Sequence, residues 1–218
     1  MTTRTWFSER CWIRSSTADR TQRVLIIDED IALGHRRLSI IDVSEAGTQP
    51  LYSEDGNLAL LFNGEIYNYQ EIRARLIEAG YHFATQTDSE VLIYGYQEYG
   101  ADLLQQLRGM FSFVIWDKRE KKLFGARDFF GIKPMYYAQM GETFLFGSEI
   151  KSFLCHPHFK KVLNTAALEN YLTFQYSPCD ETFSKGCISC RRHTISPIRT
   201  DKFTMKAVLG RSLQGRPG

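Results

Sequence analysis

The sequence predicts an α+β fold built on antiparallel sheets. Strand-like apolar runs come first, two or three amphipathic helical stretches follow, and further strand-like runs come after them. That order differs from the regular alternation of strand and helix that is typical of a parallel sheet. These signals are sustained only between residues 25 and 183, which predicts one domain over 25–183, an aberrant N-terminal segment over 1–24 and a disordered tail over 184–218.

Strand signals open the predicted domain. The segment LIIDEDIALGHRRLSIID has two apolar runs with an acidic connection, which predicts two strands. In LALLFNGEIYNY, Asn63 and Gly64 interrupt an apolar run. An Asn-Gly pair between two apolar runs is the usual sequence of a tight hairpin, so we expect a turn there.

Helical spacing follows the predicted hairpin. Ile72, Leu76 and Ile77 predict the apolar face of a helix that ends at a nearby glycine. The apolar residues of SEVLIYGYQEYG predict a second helix, and the leucines of ADLLQQLRG predict a short third one. Strands separated by the turns DKREKK and QMGET come next, and TAALENYLTF predicts a last helix capped by Asn164 or Thr165.

Composition excludes several classes of protein. The chain has 218 residues, of which 43% are hydrophobic and 24% charged, and these values are ordinary for a globular protein. A formal net charge of +2 indicates no nucleic-acid surface, and neither a transmembrane run nor a secretory signal is present. We therefore expect a cytoplasmic protein with no nucleic-acid or membrane partner. The five scattered cysteines argue against a disulfide framework.

Polar side chains that interrupt the apolar runs suit the recognition of an α-amino acid. Arg37 offers a fork of N–H donors to a carboxylate, whereas Glu65 and Asp88 offer carboxylates to an ammonium group. The Asn63 amide and the Gly64 N–H are a plausible pair of donors for an oxyanion.

Some of these polar residues also have a purely structural interpretation. Asp88 alone is well explained as the cap of a helix that begins near Ser89. Arg127 and Asp128 could form an ion pair beside the turn at Gly131.

Five segments carry a family resemblance: LGHRRLSIIDVSEAGTQPL, LLFNGEIYNYQEIR, TDSEVLIYGYQEYG, LRGMFSFVIWDKREKKLFGARDFFGIKPMYY and FLFGSEIKSFL. Over 25–183 the chain resembles the class II glutamine amidotransferase domain of glutamine-hydrolysing asparagine synthetase. The resemblance implies an N-terminal-nucleophile hydrolase fold, which is a four-layer αββα sandwich of two antiparallel sheets, incomplete here at the N-terminus. It also implies hydrolysis of glutamine to glutamate and ammonia, which a separate synthetase domain uses with ATP, Mg²⁺ and aspartate.

The resemblance assigns roles to particular residues. The implied glutamine-binding residues are Arg37, Leu38, Ser39, Ile40, Ile41, Asn63, Gly64, Glu65 and Asp88. Arg37 would hold the substrate carboxylate. Asn63 and Gly64 would form the oxyanion hole. Glu65 and Asp88 would bind the amino group. The segment ARDFFGIKP is implied to be mainly architectural, and no cofactor is expected in this chain because it has no Ser-Gly-Gly-type pyrophosphate loop.

The nucleophile that the family uses is a cysteine at the N-terminus, and its own α-amine serves as the base. This chain begins MTTRTW, and its first cysteine, Cys11, is internal. The expectation is therefore an inactive glutaminase domain, with Thr2 or Cys11 as alternative nucleophiles and a non-catalytic glutamine- or partner-binding module as the alternative function. A missing N-terminal strand would leave a sheet edge or core surface uncovered, through which the chain could associate.

A cysteine-rich stretch near the C-terminus raises the question of zinc. Cys179, Cys187, Cys190 and His193 contain a C-x-x-C pair followed by a histidine. A structural zinc site usually has tighter pairing on both sides, so we expect no metal.

A frameshift at each end would account for the unusual termini. The residues CWIRSSTADRTQRV can be encoded so that the message read one base earlier contains His-Arg-Gly-Pro-Asp, which resembles the family sequence at this position. The residues SKGCISCRRH likewise give a family-like segment when the reading frame is shifted. We predict that sequencing of the gene will show codons compatible with both shifted readings, an upstream Cys codon and a downstream synthetase in another frame. Codons that exclude these readings would contradict the hypothesis.

Overall fold

A computed structural model describes residues 22–27, 31–37, 49–191, 195–199 and 202–203. For 22–27, 36–37, 195–199 and 202–203 the description covers the backbone alone. The chain divides into two compact units, the first formed by residues 1–41 and 134–191 and the second by residues 42–133 and 192–218.

Regular elements follow one another in an α+β order. The strands are β1 (Gln22–Ile27), β2 (Ala32–Arg37), β3 (Leu51–Tyr52), β4 (Leu58–Ile66), β5 (Gly109–Asp117), β6 (Lys122–Arg127), β7 (Tyr136–Met140), β8 (Thr143–Gly147), β9 (Cys187–Ser189), β10 (Ile195–Arg199) and β11 (Lys202–Phe203). The helices are α1 (Tyr69–Glu78), α2 (Glu90–Tyr99), α3 (Leu103–Gln106) and α4 (Thr165–Phe174), with short 3-10 turns at Gly100–Asp102 and Ile150–Cys155.

A six-stranded antiparallel sheet forms the centre of the second unit. Its strand order is β11-β10-β6-β5-β4-β3, and β4 and β5 pair along their whole length from Leu58 to Ile66. Alternate β4 side chains point to one face, where helices α1 to α3 cover them. The buried residues of this core are Leu58, Leu60, Phe62, Ile66, Ile72, Leu76, Val91, Leu92, Ile93, Tyr94, Leu103, Leu104, Phe111, Phe113, Ile115, Phe124 and Ala126. Burial of each large apolar side chain contributes about 1.5–3 kcal/mol.

The hairpin predicted at Asn63 and Gly64 is wrong, because β4 runs through both residues without a turn. Opposite them, Ser112 and Phe111 of β5 continue the ladder. Gly64 has a φ of +152°, and a Cβ added there would lie 2.1 Å from the carbonyl oxygen of Met110. The glycine therefore permits a close approach of two backbones rather than a reversal of the chain.

Helix predictions are confirmed with one exception. Ile72 and Leu76 of α1 are fully buried, but Ile77 is 53% exposed and does not belong to the apolar face. The reason is geometric, since a helical stripe centred on residues 72 and 76 leaves residue 77 about 100° further round the helix. At α4, Asn164 is the N-cap, and its side chain accepts a hydrogen bond from the Ala167 N–H at 3.3 Å.

The first unit contains two smaller antiparallel sheets. Strands β1 and β2 form one pair, and β8, β7 and β9 form the other sheet in that order. A small cluster of buried side chains accompanies the three-stranded sheet: Ala138, Met140, Leu145, Phe153 and Cys187.

Strand β9 lies inside the range predicted to be a disordered tail, and the structure describes residues 184–191. Their backbone is held by hydrogen bonds from the Ser189 N–H to the Asp180 carbonyl at 2.7 Å and from the Cys190 N–H to the Met135 carbonyl at 2.8 Å. Strand β10 of the same range pairs with β6. The proposed domain boundaries at 24 and 184 stay predictions. Across the part of the chain that the structure describes, no helix has the length and apolar character needed to span a membrane.

Gly109 makes the reciprocal close contact with β4, which leads to a stability prediction. A Cβ on Gly109 would lie 2.1 Å from the Glu65 carbonyl oxygen, and backbone cannot move aside as a side chain can. We expect Gly109→Ala to lower the free energy of unfolding by about 3 kcal/mol or more, measured by urea unfolding followed by circular dichroism.

Gly80→Ala is the matched control for that variant. Gly80 has a φ of +96°, but the position that a methyl group would take is in open space, so only backbone strain of about 1 kcal/mol is expected. Equal destabilisation by the two variants would contradict the steric explanation.

Candidate active site

The direction of the backbone N–H groups along β4 follows from its pairing. In an antiparallel strand the N–H and C=O of one residue point to the same side, and successive residues alternate. The Tyr67 N–H continues the ladder by donating to the Arg108 carbonyl at 2.7 Å, so odd-numbered residues face β5. The Phe111 carbonyl, opposite Gly64, accepts from the Asp128 N–H and therefore faces β6. The N–H of Gly64 consequently points to the outer edge of β4.

Side chains occupy the N–H groups on either side of Gly64 at this edge. Gln49 Oε1 accepts from the Phe62 N–H at 2.6 Å, and Asp88 Oδ2 accepts from the Ile66 N–H at 2.9 Å. Strand β3 does not extend as far as Gly64, because it pairs only with Ala59 and Leu60 of β4. Among the residues that the structure describes, none accepts the Gly64 N–H. The edge thus has one open donor between two occupied ones.

The side chain of Asn63 lies on the sheet face opposite the helix-covered core. Ser112 of β5 and Arg127 of β6 are its cross-strand neighbours in register. Asn63 is half-buried, and its amide makes no hydrogen bond to any other described side chain or backbone group. Its N–H donors are therefore available next to the open N–H of Gly64.

Two carboxylates meet at the end of β4. Glu65 is exposed, and Asp88 is half-buried with one oxygen on the Ile66 N–H. Burial raises the pKa of Asp88 above its usual range, and the negative charge of Glu65 raises it further against the effect of the backbone N–H donors. Such a pair is suited to a cation, because a positive charge would relieve both the desolvation and the repulsion.

The interpretation of Asp88 as a helix cap is not supported. The N-cap of α2 is Ser89, and it makes no side-chain capping bond. Asp88 instead uses its carboxylate on β4, which ties the loop before α2 to the strand that carries Asn63 and Gly64.

Glu90 holds the loop that carries Asp88, and the sequence reasoning did not identify it. Glu90 is only 4% exposed. Its two oxygens accept the N–H groups of Ala84 and Thr85, each at 2.8 Å, together with the Thr85 hydroxyl at 2.7 Å. The available signal was the spacing of Thr87 and Glu90 before an apolar run, which is typical of a carboxylate that turns back to bind backbone.

The segment ARDFFGIKP has the architectural role that the resemblance implied. Asp128 is fully buried, and its carboxylate accepts the N–H groups of Phe130, Ile132 and Lys133 at 2.9–3.0 Å. The Arg127 guanidinium donates to the carbonyls of the same loop. The predicted ion pair between Arg127 and Asp128 is replaced by these backbone contacts.

The remaining predicted site residues are described only in part. Arg37 ends β2 in the first unit, and its backbone alone is described. Leu38, Ser39, Ile40 and Ile41 lie outside the described residues, as do the alternative nucleophiles near the N-terminus. The structure therefore brings together Asn63, Gly64, Glu65 and Asp88, whereas the roles of Arg37 and of residues 38–41 stay predictions.

Cysteine and histidine side chains form no metal cluster in the described ranges. No group of three or more His, Cys, Asp and Glu residues there could hold an ion. Cys187 and Cys190 are buried, Cys179 is exposed, and these three cysteines form no disulfide bond. His193, the fourth residue of the zinc interpretation, lies outside the described residues.

Comparison with known families identifies the domain. The family profile described as a glutamine amidotransferase domain matches residues 13–207. The chain belongs to the glutamine amidotransferase domain family. This confirms the resemblance found in the sequence, and the matched range is wider than the predicted domain.

Curated relatives of this glutamine amidotransferase domain include asparagine synthetases. Asparagine synthetase [glutamine-hydrolyzing] 1 of Bacillus subtilis strain 168 is 47% identical over 151 residues, which cover 69% of this chain and 24% of that protein. A putative asparagine synthetase of Mycobacterium bovis is 38% identical over 181 residues, which cover 79% of this chain and 28% of that protein. The chain thus spans about a quarter of the length of these relatives.

Solved structures with the same fold are more distant in sequence. The glutamine phosphoribosylpyrophosphate amidotransferase of B. subtilis superimposes with a TM-score of 0.56 at 20% identity, covering 81% of this chain and 34% of that one. A structure described as the allosteric regulatory enzyme of purine biosynthesis gives a TM-score of 0.58 at the same identity and coverage. These similarities confirm the α+β N-terminal-nucleophile hydrolase fold.

Asp88 gives a prediction about stability and pH. Its pKa is higher in the folded than in the unfolded protein, so the folded protein binds more protons between those two values. The free energy of unfolding therefore falls as the pH rises through this window. We expect Asp88→Asn, which keeps an acceptor for the Ile66 N–H, to raise the urea midpoint at neutral pH and to remove this pH dependence.

Asp102→Asn makes the same chemical change at an exposed position and serves as the control. Its midpoint should keep the pH dependence of the wild type. A lower midpoint for Asp88→Asn at neutral pH would contradict the assignment of an unfavourable buried charge.

Proposed function

We propose that this domain binds glutamine and presents its side-chain amide for hydrolysis to glutamate and ammonia, as the glutaminase part of an asparagine synthetase. One observation carries the proposal. The open N–H of Gly64 and the free amide of Asn63 lie on adjacent residues, at the same end of β4 as the carboxylates of Glu65 and Asp88. Family membership and the asparagine synthetase relatives support the choice of glutamine over other amides.

Gly64 and Asn63 supply the donors for the reacting amide. Attack on the amide carbon turns its carbonyl oxygen into an oxyanion, and donors fixed before the reaction stabilise that charge without reorganisation. The Gly64 N–H is fixed by the β4–β5 ladder. Loss of one such donor typically lowers the rate by about 10²–10³-fold.

Glu65 and Asp88 supply the recognition of the amino group. One Asp88 oxygen is already on the Ile66 N–H, so the other oxygen and Glu65 receive the ammonium. The bound cation lowers the pKa of Asp88 toward its usual range, so affinity for glutamine falls as the pH drops through the raised pKa of the free protein.

Arg37 is the proposed ligand of the glutamine carboxylate, with residues 38–41 lining the same segment. The family resemblance, rather than the described side chains, supports this part of the proposal. The use of ammonia with ATP, Mg²⁺ and an acceptor, which the resemblance implies for a separate synthetase domain, is not proposed for this chain.

A second candidate function is non-catalytic binding of glutamine. The observation that favours it is that the four grouped residues, Asn63, Gly64, Glu65 and Asp88, supply hydrogen-bond donors and carboxylates but no thiol or hydroxyl group. Hydrolysis and binding therefore need separate measurements.

Isothermal titration calorimetry tests glutamine binding, and a coupled ammonia assay tests hydrolysis. We expect binding, and we expect Arg37→Ala to weaken it by at least about tenfold because a charged partner of the carboxylate is lost. Arg36→Ala is the matched control, since it removes the same charge one position earlier, and it should bind like the wild type. Binding without ammonia release supports the second candidate, whereas absence of binding contradicts both.

Ammonia release by the wild type would support hydrolysis and would allow the nucleophile to be identified. In that case Thr2→Ala and Cys11→Ala are compared with the wild type in the same assay. Loss of release in one variant with retained glutamine binding identifies the nucleophile.

A further inference from the structure

The outer edge of β4 carries a row of N–H groups at alternate residues, spaced by about 6.8 Å, which is twice the rise of a strand. The N–H groups of Phe62 and Ile66 are occupied by side chains that reach in from two different loops. Only the N–H of Gly64, between them, has no acceptor among the described residues. The edge therefore differs from an ordinary unpaired strand, which offers every second N–H to a partner.

We propose that Gln49 is a positioning residue which, together with Asp88, restricts this edge to one open N–H and orients the substrate along β4. The proposal rests on the proposed function, because it takes glutamine as the ligand. Gln49 does not touch the reacting atoms. Its side-chain oxygen occupies the Phe62 N–H, so the Gly64 N–H is left as the donor for a carbonyl oxygen of the substrate.

The restriction has a consequence for what can bind. An extended peptide that adds to a sheet edge needs successive open groups on the strand. Gln49 and Asp88 occupy the N–H groups on both sides of Gly64, so the described part of this edge offers one N–H to a carbonyl oxygen and lacks the successive N–H donors that an added strand needs. A small amide fits this requirement.

The two covering side chains differ in charge, and this difference defines a direction. Gln49 is a neutral amide on the Phe62 side, whereas Asp88 is a carboxylate on the Ile66 side with Glu65 nearby. A substrate that develops negative charge at its amide and carries a positive amino group is favoured with the amide toward Gln49 and the amino group toward Asp88. A carboxylate in place of Gln49 would repel the partial negative charge on the oxygen of the bound amide, and would repel the oxyanion more strongly, while still accepting the Phe62 N–H.

Two substitutions at Gln49 separate these effects. Gln49→Leu removes the acceptor, whereas Gln49→Glu keeps an acceptor oxygen and adds a negative charge. Gln105→Leu and Gln105→Glu are the matched controls, since Gln105 is exposed on α3 and its amide contacts only Asp102 in the described part of the chain.

The first readout is amide hydrogen exchange in the full chain without ligand. We expect the Phe62 N–H to be protected in the wild type and in Gln49→Glu, and to lose at least about tenfold of its protection in Gln49→Leu. The Gly64 N–H should exchange faster than the Phe62 and Ile66 N–H groups in the wild type. Equal exchange at Phe62 in the wild type and Gln49→Leu overturns the role of Gln49, whether or not glutamine binds.

The second readout is the ratio of affinities for L-glutamine and L-norvaline, measured by calorimetry. Norvaline has the same α-amino and α-carboxylate groups but no side-chain amide, so the ratio reports the amide contact alone. We expect Gln49→Glu to lower this ratio at least about tenfold at neutral pH and to regain it as the pH falls through the glutamate range. A merely structural role would weaken both ligands together.

The outcomes distinguish the inference from the function it rests on. Glutamine binding by the wild type with an unchanged ratio in Gln49→Glu overturns the inference and leaves the proposed function standing. No glutamine binding by the wild type overturns the proposed function and with it the orientation of the substrate, while the exchange data still decide whether Gln49 covers the strand edge.

Discussion

The close approach of β4 and β5 at two glycines controls the direction of the groups that β4 contributes to the candidate site. A Cβ at either Gly64 or Gly109 would stand 2.1 Å from a carbonyl oxygen of the facing strand. Because neither residue has a Cβ atom, the two strands pair without interruption. The ladder then decides which N–H groups of β4 face β5 and which face the outer edge. A slip of one residue would turn the Gly64 N–H toward β5 and move Asn63 to the core face.

The polar contacts around this ladder form a second level of organisation. Glu90 shapes the loop before α2, that loop brings Asp88 to the strand, and Asp88 fixes the Ile66 N–H. Burial raises the pKa of the same carboxylate, so its charged form is disfavoured. Asp88 thus keeps a half-buried charge whose desolvation is unfavourable when no cation is present, which is common where binding sites trade stability for function.

Sequence patterns predicted the helices and most strands because apolar spacing reports burial directly. Ile72 and Leu76 illustrate this, and so does the strand pair joined by DKREKK. The same reasoning failed at Asn63 and Gly64, since an Asn-Gly pair has the same letters whether the chain turns or two strands approach closely. Propensity is local, but the contact that required the glycine comes from Met110, far along the sequence. Glu90 was missed for a related reason: its spacing from Thr87 gave a signal, but the partners at Ala84 and Thr85 depend on a loop conformation that the spacing alone does not specify.

The role proposed for the open N–H of Gly64 would place a chemical function in the main chain, and this changes how such a function is encoded. A side-chain donor is lost whenever its codon changes to a residue without that group. A backbone donor persists through every replacement except proline, and here the replacements are limited by space rather than by chemistry. A substitution at this position is therefore limited by the space for a side chain. The effect of such substitutions measures steric fit and not the loss of a reactive side-chain group.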